Sequence, residues 1–407
     1  MINVCHISTM TRWGGVERML MDMLTTVKQQ HVTHFLLTTS SSSEVLKPII
    51  DADIDVFEPL RRFHYDPSAI FQMARWMRRK KINIVHTYNL FSNCWGGIAA
   101  TLAGIPLRVA GEHGSIWLPD SMLTRLEKLL YVSADLIVAN SFASKTMLSM
   151  QRKIPVEKIQ VVHNAVQAPE LASEPELEAL RREFSLTDKE RVVGAVGRLS
   201  ESKDFFSWLD TAKLISEKHK DVRFLIVGDG PLAHALNQHA DSSGIRSQVV
   251  FTGWRQDARN IMQLFDIYMS SSTHESFGNT LVEAALCKIP VIAPGIDGIP
   301  EVVVDGKTGL LVTPDVDMPA RLPHKNSKWI TKVVIDGKVS SIKAVSPHKM
   351  AQKVGFLLDN PALCRNLGEA AYCQAIEKFQ LNRYIQDVED IYISLYRGLK
   401  GGNVGLS

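Results

Sequence analysis

Short apolar runs alternate with longer amphipathic stretches along most of the 407 residues. INVCHIS, HFLLTT, INIVHTY, LRVAGEH and ADLIVANS predict strands, and stretches such as GVERMLMDMLTTVKQQ predict helices between them. Continuous apolar strands separated by helices are the pattern of a parallel sheet covered on both faces. The pattern breaks at VVHNAVQAPELASEPELEALRREF, where Pro169 and Pro175 bracket a charged segment that reads as a linker. It restarts with RVVGAVG, VRFLIVGDG, QVVFTG, IYMSSS and PVIAPG. The expected fold is α/β with two Rossmann-like, doubly wound domains, residues 1–168 and 169–383.

Two stretches depart from this rhythm. KWITKVVIDGKVSSIKAV alternates with a period of two around Asp336-Gly337, which predicts a hairpin inside an insertion near residues 315–346. LNRYIQDVEDIYISLYRGL carries its apolar residues on one helical stripe. Residues 384–407 are therefore expected to dock, crossing back to the first domain.

Composition narrows the class. The chain is too long for one ordinary core, and its apolar fraction of 45% suits a globular protein. Through Ala168 there are 18 basic and 13 acidic residues, and beyond it 28 and 30. This mild basic bias in the first half suits an anionic ligand or an acidic membrane surface, and equally a solvated charged face. It is too weak for a nucleic-acid footprint, and no nucleic-acid partner is expected. Cys5, Cys94, Cys287, Cys364 and Cys373 are scattered and form no C-x-x-C pair, so neither a disulfide framework nor a zinc site is expected. The N-terminal MINVCHISTM lacks the look of a signal peptide, and no apolar run is long enough to span a membrane. The expected compartment is the cytoplasm, with the inner membrane face as the variant.

In an open α/β sheet, ligands bind beyond the carboxyl ends of the strands. His113, Arg198, Asp229, Trp254 and Glu275 all fall at such predicted ends. In SSTHESFGNTLVEAALC, Glu275 lies in the loop before a predicted helix and Glu283 lies about one turn inside it, roughly 6 Å further along the axis. Free amides and a positive dipole end at the helix start suit a phosphate, and Gly278 allows close approach. Carboxylates on either side suit hydroxyl pairs, because one carboxylate accepts two hydroxyl protons. Arg198 and Lys203, five apart after a glycine-ended strand, suit a diphosphate clamp. Together these describe a site for a nucleoside diphosphate sugar. The bland readings are a surface cation pair, a helix-terminus carboxylate at Glu275, and a half-buried Glu283 paired with Lys288.

GRLSESKDF, FLIVGDGP, VVFTGW, STHESFGNTLVEAALCKIPVIA and GIPEVVVDGKTGLLV resemble the signature blocks of the family 4 glycosyltransferases, retaining enzymes of the GT-B fold with an E-x7-E motif. TRWGGVERML, IVHTYN, GEHG, DLIVANS and VVHNAV in the first half resemble that family too. The resemblance implies two domains facing across a cleft. It implies that Arg198 and Lys203 clamp the diphosphate, Glu275 grips the donor sugar and Glu283 grips the ribose. The backbone of Phe277, Gly278, Asn279 and Thr280 would touch diphosphate and sugar. His113 would face the transferred sugar, Gly14 and Gly15 would close over the donor, and the backbone at Gly253 and Trp254 would meet the base. Asn164 would lie near the interdomain joint. Ala165 stands where the family usually has glycine, which removes confidence in a backbone contact there.

The resemblance also implies retaining transfer to a hydroxyl acceptor (a glycan, glycolipid or lipid-linked saccharide), as in polysaccharide assembly, with the departing phosphate taking the acceptor proton. No cofactor is expected beyond the nucleotide-sugar co-substrate. No metal is expected either: DADID at 51–55 and DVD at 315–317 match D-x-D but sit badly for it, and His6, His86, His113 and His163, near predicted strand ends, lack ligand spacing. The stripe Met122, Leu123, Leu126, Leu129 and Leu130 beside Arg125 and Lys128, and the basic run RWMRRKK at 75–81, suit peripheral membrane contact or simple packing on the domain's own sheet. A nucleotide-sugar epimerase of the same architecture and a non-catalytic nucleotide-sugar-binding protein are the alternative functions. Oligomeric state is not legible in the residues.

Overall fold

In a computed structural model, the structure describes residues 1–11, 14–63, 66–114, 122–318 and 332–401, without the side chains at 89–91, 122–124, 126 and 401. The chain divides into two compact units. The first gathers Met1–Gly114, Leu118–Gln167 and Leu381–Ser407, and the second spans Ala168–Gln380.

The first unit is built on strands β1 (Ile2–Met10), β2 (Val32–Ser41), β3 (Asp55–Phe57), β4 (Ile84–Tyr88), β5 (Leu107–Glu112), β6 (Leu136–Ala139) and β7 (Ile159–Val161). They form one parallel sheet in the order β3-β2-β1-β4-β5-β6-β7. The final helix, Leu381–Gly401, belongs to this unit. It buries Tyr384, Val388, Ile391 and Tyr392 in a cluster with Leu20, Leu36 and Ile84. Arg383 at its start donates to the His163 carbonyl at 2.7 Å.

Beneath that helix lies a buried polar chain. His6 and His86 face each other in the β1–β4 register. The His6 ring contacts Tyr88 Oη and His34 Nδ1, each at 2.9 Å, and His34 Nε2 reaches Glu389 of the final helix at 3.2 Å. His86 Nδ1 bonds the Tyr392 hydroxyl. His6 thus lies in the middle of its strand, not near its end. The sequence placed it wrongly because β1 runs on through Ser8–Met10.

The second unit contains β8 (Arg191–Val196), β9 (Val222–Val227), β10 (Val249–Gly253), β11 (Ile267–Met269), β12 (Val291–Pro294) and β13 (Gly309–Val312). Its parallel order is β10-β9-β8-β11-β12-β13, so the direction of winding reverses between β8 and β11. The core is anchored by Trp208, fully buried, whose indole N–H donates to the Met269 carbonyl at 2.9 Å.

The segment read as a linker is partly structured. Pro175 stands in the first turn of a helix, Glu174–Glu183, that a capping box between Ser173 and Glu176 starts. The expected hairpin is present as β14 (Lys332–Ile335) and β15 (Lys338–Ser341), antiparallel around Asp336 and Gly337, both with positive φ.

Candidate functional site

The reversal point between β8 and β11 brings two loops together, and a ligand crevice is expected there. After β8 the chain runs through Gly197 and Arg198 into a short turn, Glu201–Lys203. Asp204 then takes φ 42 and caps the next helix by accepting from the Ser207 amide at 3.2 Å. After β11, Ser271 Oγ donates to the carbonyls of Lys203 and Asp204, each at 2.9 Å. The Thr273 amide donates to the Ser202 carbonyl at 2.9 Å. These bonds fasten the loop of Lys203 to the loop of Glu275.

On that frame Lys203 Nζ and Glu275 Oε2 form an ion pair. The two side chains retain 25% and 17% of their exposure, so the pair stays open to a ligand. Arg198 is exposed and forms no ion pair among the described residues. Phe277 buries its ring, edge to face with Phe379 at 5.4 Å, which leaves its backbone for the loop surface. Gly278 holds φ 100 and caps the helix Asn279–Leu286. A Cβ there would stand 2.9 Å from Leu281 Cδ1 and 3.5 Å from Glu275 Cγ, in a conformation that only glycine adopts cheaply. Thr280 Oγ1 accepts from the Tyr268 hydroxyl at 3.0 Å, and the Tyr268 Oη accepts from the Val196 amide at 3.3 Å. Tyr268 therefore ties the helix start to the end of β8.

Glu283 is the fifth residue of its helix and half-buried. Its partner is Arg259, whose Nε and Nη2 both reach Oε1, at 3.1 and 3.0 Å. Lys288, the partner weighed from the sequence, instead pairs with Glu369 at 3.0 Å. Lys288 has φ 60 just beyond the helix end, so its side chain leaves the face that carries Glu283. Gly253 has φ 72 at the end of β10, its carbonyl accepts from the Gly228 amide at 2.9 Å, and Trp254 beside it is 56% exposed.

His113, Asn164, Gly14 and Gly15 belong to the first unit. His113 follows β5, stacks on Tyr88 at 5.4 Å and places Nδ1 3.3 Å from Asn164 Oδ1. Burial pushes its pKa down to about 4, against a smaller opposing effect of Asn164, so the ring is neutral at pH 7. Next to it burial raises the Glu112 carboxyl, while Tyr131 and the Gly114 amide hydrogen-bond to it. Gly14 is extended and exposed and precedes the helix Gly15–Thr26. Ala165 is buried.

The D-x-D candidates are engaged elsewhere: Asp55 pairs with Lys80, and Asp315 with Lys349 at 2.5 Å. Among the described residues no three His, Cys, Asp or Glu side chains gather as a metal-ligand set. All five cysteines are free.

Against known families, residues 13–168 match the model described as Glycosyltransferase Family 4, and residues 190–325 match Glycosyl transferases group 1. The chain belongs to the family 4 glycosyltransferases. This glycosyltransferase is 23% identical over 355 residues to N-acetyl-alpha-D-glucosaminyl L-malate synthase of Bacillus anthracis, covering 84% of this chain and 82% of the relative. It is 25% identical over 314 residues to UDP-Gal:alpha-D-GlcNAc-diphosphoundecaprenol alpha-1,3-galactosyltransferase of Escherichia coli, covering 73% and 80%. Its fold is the GT-B fold: Anabaena HepE, solved in complex with UDP and glucose, superposes with a TM-score of 0.80 at 20% identity, over 97% of this chain and all of HepE.

Four residues of the candidate site escaped the sequence reading. Arg259 sits in WRQDARN, where it looks like any charge at a helix start, and nothing in its spacing ties it to Glu283. Tyr268 lies within a strand and reads as core. His274 and Asp297 are 23 positions apart, yet His274 Nδ1 meets Asp297 Oδ2 at 2.8 Å.

Proposed function

We propose that this glycosyltransferase moves a hexose from a nucleoside diphosphate sugar to a hydroxyl acceptor, with retention at the anomeric carbon and without a metal ion. The observation that carries the reading is the Lys203–Glu275 pair at the reversal point of the second sheet, with Arg198 exposed five residues before Lys203 and Glu283 oriented one helical turn away.

Breaking the bond between C1 and phosphate releases an anion. Arg198, Lys203 and the amides at the start of the helix Asn279–Leu286 supply fixed positive charge for it. Glu275 then accepts hydroxyls of the sugar and Glu283 those of the ribose. Arg259 reaches Oε1 of Glu283 with both Nε and Nη2, and Oε2 would be the oxygen that meets the ligand. His113, neutral at pH 7, donates to the sugar without adding a charge that would compete with the diphosphate. The acceptor attacks the face the phosphate leaves, and the phosphate takes its proton.

HepE holds UDP in its crystals, which makes uridine diphosphate sugars the first donors to test. The relative from Escherichia coli acts, by its name, on a diphosphoundecaprenol-linked sugar, and another is named a Vi polysaccharide biosynthesis protein. A lipid-linked saccharide at the cytoplasmic membrane face is accordingly the acceptor class we favour. No helix of the described residues is long and apolar enough to cross a membrane, so such contact would be peripheral. In the first unit, Leu60, Phe63 and Phe71 are 83%, 60% and 66% exposed, and Arg62, Arg75 and Arg79 are exposed along the same loop and helix. Leu129 of the helix Met122–Ser133 is 67% exposed next to Lys128; Met122, Leu123 and Leu126 have side chains outside the described residues. Apolar side chains among arginines suit an anionic lipid surface.

The test is nucleotide release from a panel of nucleoside diphosphate sugars with lipid-linked and soluble saccharide acceptors, with the anomeric configuration of the product read by NMR. Conversion of the donor to an isomer without acceptor would instead establish an epimerase. Binding without turnover on any acceptor would favour a carrier. Flotation with phosphatidylglycerol vesicles at low and high salt tests the membrane contact, which absence of binding at low salt would refute.

A further inference from the structure

The hairpin β14–β15 begins after the group 1 match ends at residue 325, and it is joined to the site through one carboxylate. In its register Val334 faces Val339, one step from the Ile335–Lys338 pair that closes the two-residue turn. That step is a non-hydrogen-bonded position, so the N–H and C=O of Val334 point away from β15. Asp297 takes both: its amide donates to the Val334 carbonyl at 2.7 Å, and its Oδ1 accepts from the Val334 amide at 2.8 Å. Asp297 thus pairs with the edge of the hairpin as a third strand would.

The other carboxylate oxygen faces the site. Asp297 Oδ2 accepts from His274 Nδ1 at 2.8 Å and from the Glu275 amide at 3.2 Å. An ionised carboxylate only accepts, so His274 Nδ1 carries the proton. The Gly298 amide in turn donates to the Glu275 carbonyl at 3.1 Å. Both backbone groups of Glu275 are therefore held by Asp297 and its neighbour. The approach is tight: a Cβ on Gly298 would stand 2.1 Å from the Ser276 carbonyl oxygen. Asp297 itself is held at φ 45 with its side chain fully buried. Burying a carboxylate and straining its backbone both cost free energy, and three donors from two segments, His274 and Glu275 on the loop and Val334 on the hairpin, offset that cost only while all three are in place. Val333 and Val334 are buried, so the hairpin has an apolar seat that keeps its part of the bargain fixed.

We propose that Asp297 is a positioning residue for sugar transfer, which sets the Glu275 loop in its ligand-facing geometry and transmits to it the seating of the inserted hairpin. The inference rests on the reading of Glu275 as the sugar-gripping carboxylate. It gives the insertion a role: the hairpin is a buttress for the donor-sugar loop, and its displacement loosens that loop.

Val334→Pro removes the amide that donates to Oδ1, and because Val334 faces Val339 at a non-hydrogen-bonded position the β14–β15 ladder loses no bond. Asp297→Ala removes the carboxylate. Hydrogen exchange of the full-length protein, followed on the peptide covering residues 273–280, should accelerate about tenfold in either variant while β8 and β9 stay protected. Release of UDP from UDP-glucose or UDP-galactose, with water or saccharide as acceptor, should fall in kcat by about tenfold to a hundredfold, as a misplacement of about 1 Å can cause. The dissociation constant for UDP should rise by less than kcat falls, because Arg198, Lys203 and Glu283 take no direct hydrogen bond from Asp297. The double variant should be no worse than Asp297→Ala alone, as coupled residues require. Unchanged exchange at 273–280 in Val334→Pro, or losses in kcat that simply multiply, would overturn the proposal. A wild type that binds no UDP and turns over neither sugar would sink the donor reading and the inference with it, and the exchange result would still show whether the hairpin and the loop are coupled.

Discussion

Lys203 and Glu275, 72 positions apart, form an ion pair across the reversal point of the second sheet. On the proposed reading, donor binding exchanges this pair for contacts to phosphate and sugar, and each residue has a partner until the ligand arrives. Lys203→Ala should lower kcat by about two to three orders of magnitude, the loss of about 2.7–4 kcal/mol of charge stabilisation in the transition state. The pair is part-exposed, so its direct contribution to stability is small and the melting temperature should move little. Steady-state kinetics beside thermal unfolding checks both halves, and near-normal turnover would count against the clamp.

Arg259 and Glu283 predict a different signature. Glu283→Ala should weaken nucleotide binding with a smaller effect on kcat, because a ribose contact is made equally in ground and transition states. Arg259→Ala should mimic it in part, since it frees the carboxylate that Arg259 orients. A charge-assisted hydrogen bond is worth about 1.5–3 kcal/mol, so the dissociation constant for UDP should rise by about tenfold to a hundredfold in Glu283→Ala. Calorimetry with UDP on both variants measures it.

If fixed cations neutralise the leaving diphosphate, chelation should leave turnover largely intact. On the proposed reading Lys203 and Arg198 supply the positive charge that a divalent ion could otherwise supply. EDTA followed by a magnesium titration is the check. Complete loss restored by magnesium would refute the metal-free mechanism.

Gly228 ties the first of these loops to the sheet. It takes φ 140, and a Cβ there would stand 2.0 Å from the Gly197 carbonyl oxygen, a backbone atom that cannot swing aside. Gly228→Ala must displace Gly197 and so Arg198. It should cost at least about 2 kcal/mol of stability, as overpacked and strained positions do, and impair UDP binding even where the variant remains folded. Denaturant unfolding and UDP titration on the same sample test the two effects together.

Much of this was legible in the residues, for identifiable reasons. Unbroken apolar runs such as VRFLIV mark the long central strands, because burial on both faces demands them, and period-3.6 patterning marks the helices between. It marks β7 and β13 poorly, because strands of three or four residues at a sheet edge need no such run. The hairpin was legible because Asp336-Gly337 is a turn with a specific backbone requirement. The cations and glutamates stood out as charged groups at strand ends. Their partners did not: Arg259, His274 and Asp297 act through contacts closed by the fold across 22 to 24 positions. Nothing local distinguishes such a residue from a surface charge.

The buried histidines of the first unit predict how the protein responds to acid. Burial pushes the His86 pKa down to about 3 and that of His113 to about 4, and drives His6 well below the usual 6.5. Each ring is neutral in the folded state and free to protonate once unfolded. Their stabilising contribution is therefore complete above pH 6.5 and is lost as pH falls below it, down to the folded pKa values. Burial raises the Glu112 carboxyl, so the folded state retains that proton where the unfolded state has lost it, and this slope has the opposite sign. Burial raises the Glu127 and Asp266 carboxyls as well, so three rings stand against three carboxyls, and the loss of stability below pH 6.5 that belongs to a ring is the part that substituting that histidine removes. Each proton is worth about 1.4 kcal/mol per pH unit at full effect. The groups around the rings, His34 and Glu389 with Tyr88, Tyr384 and Tyr392, come from β2, β4 and the final helix, so the same protonation should loosen that helix. Unfolding by urea at pH 7.5, 6.5 and 5.5, repeated with His86→Gln, is the measurement. The variant should show a shallower fall by about one proton, and an unchanged slope would mean that His86 does not titrate on unfolding.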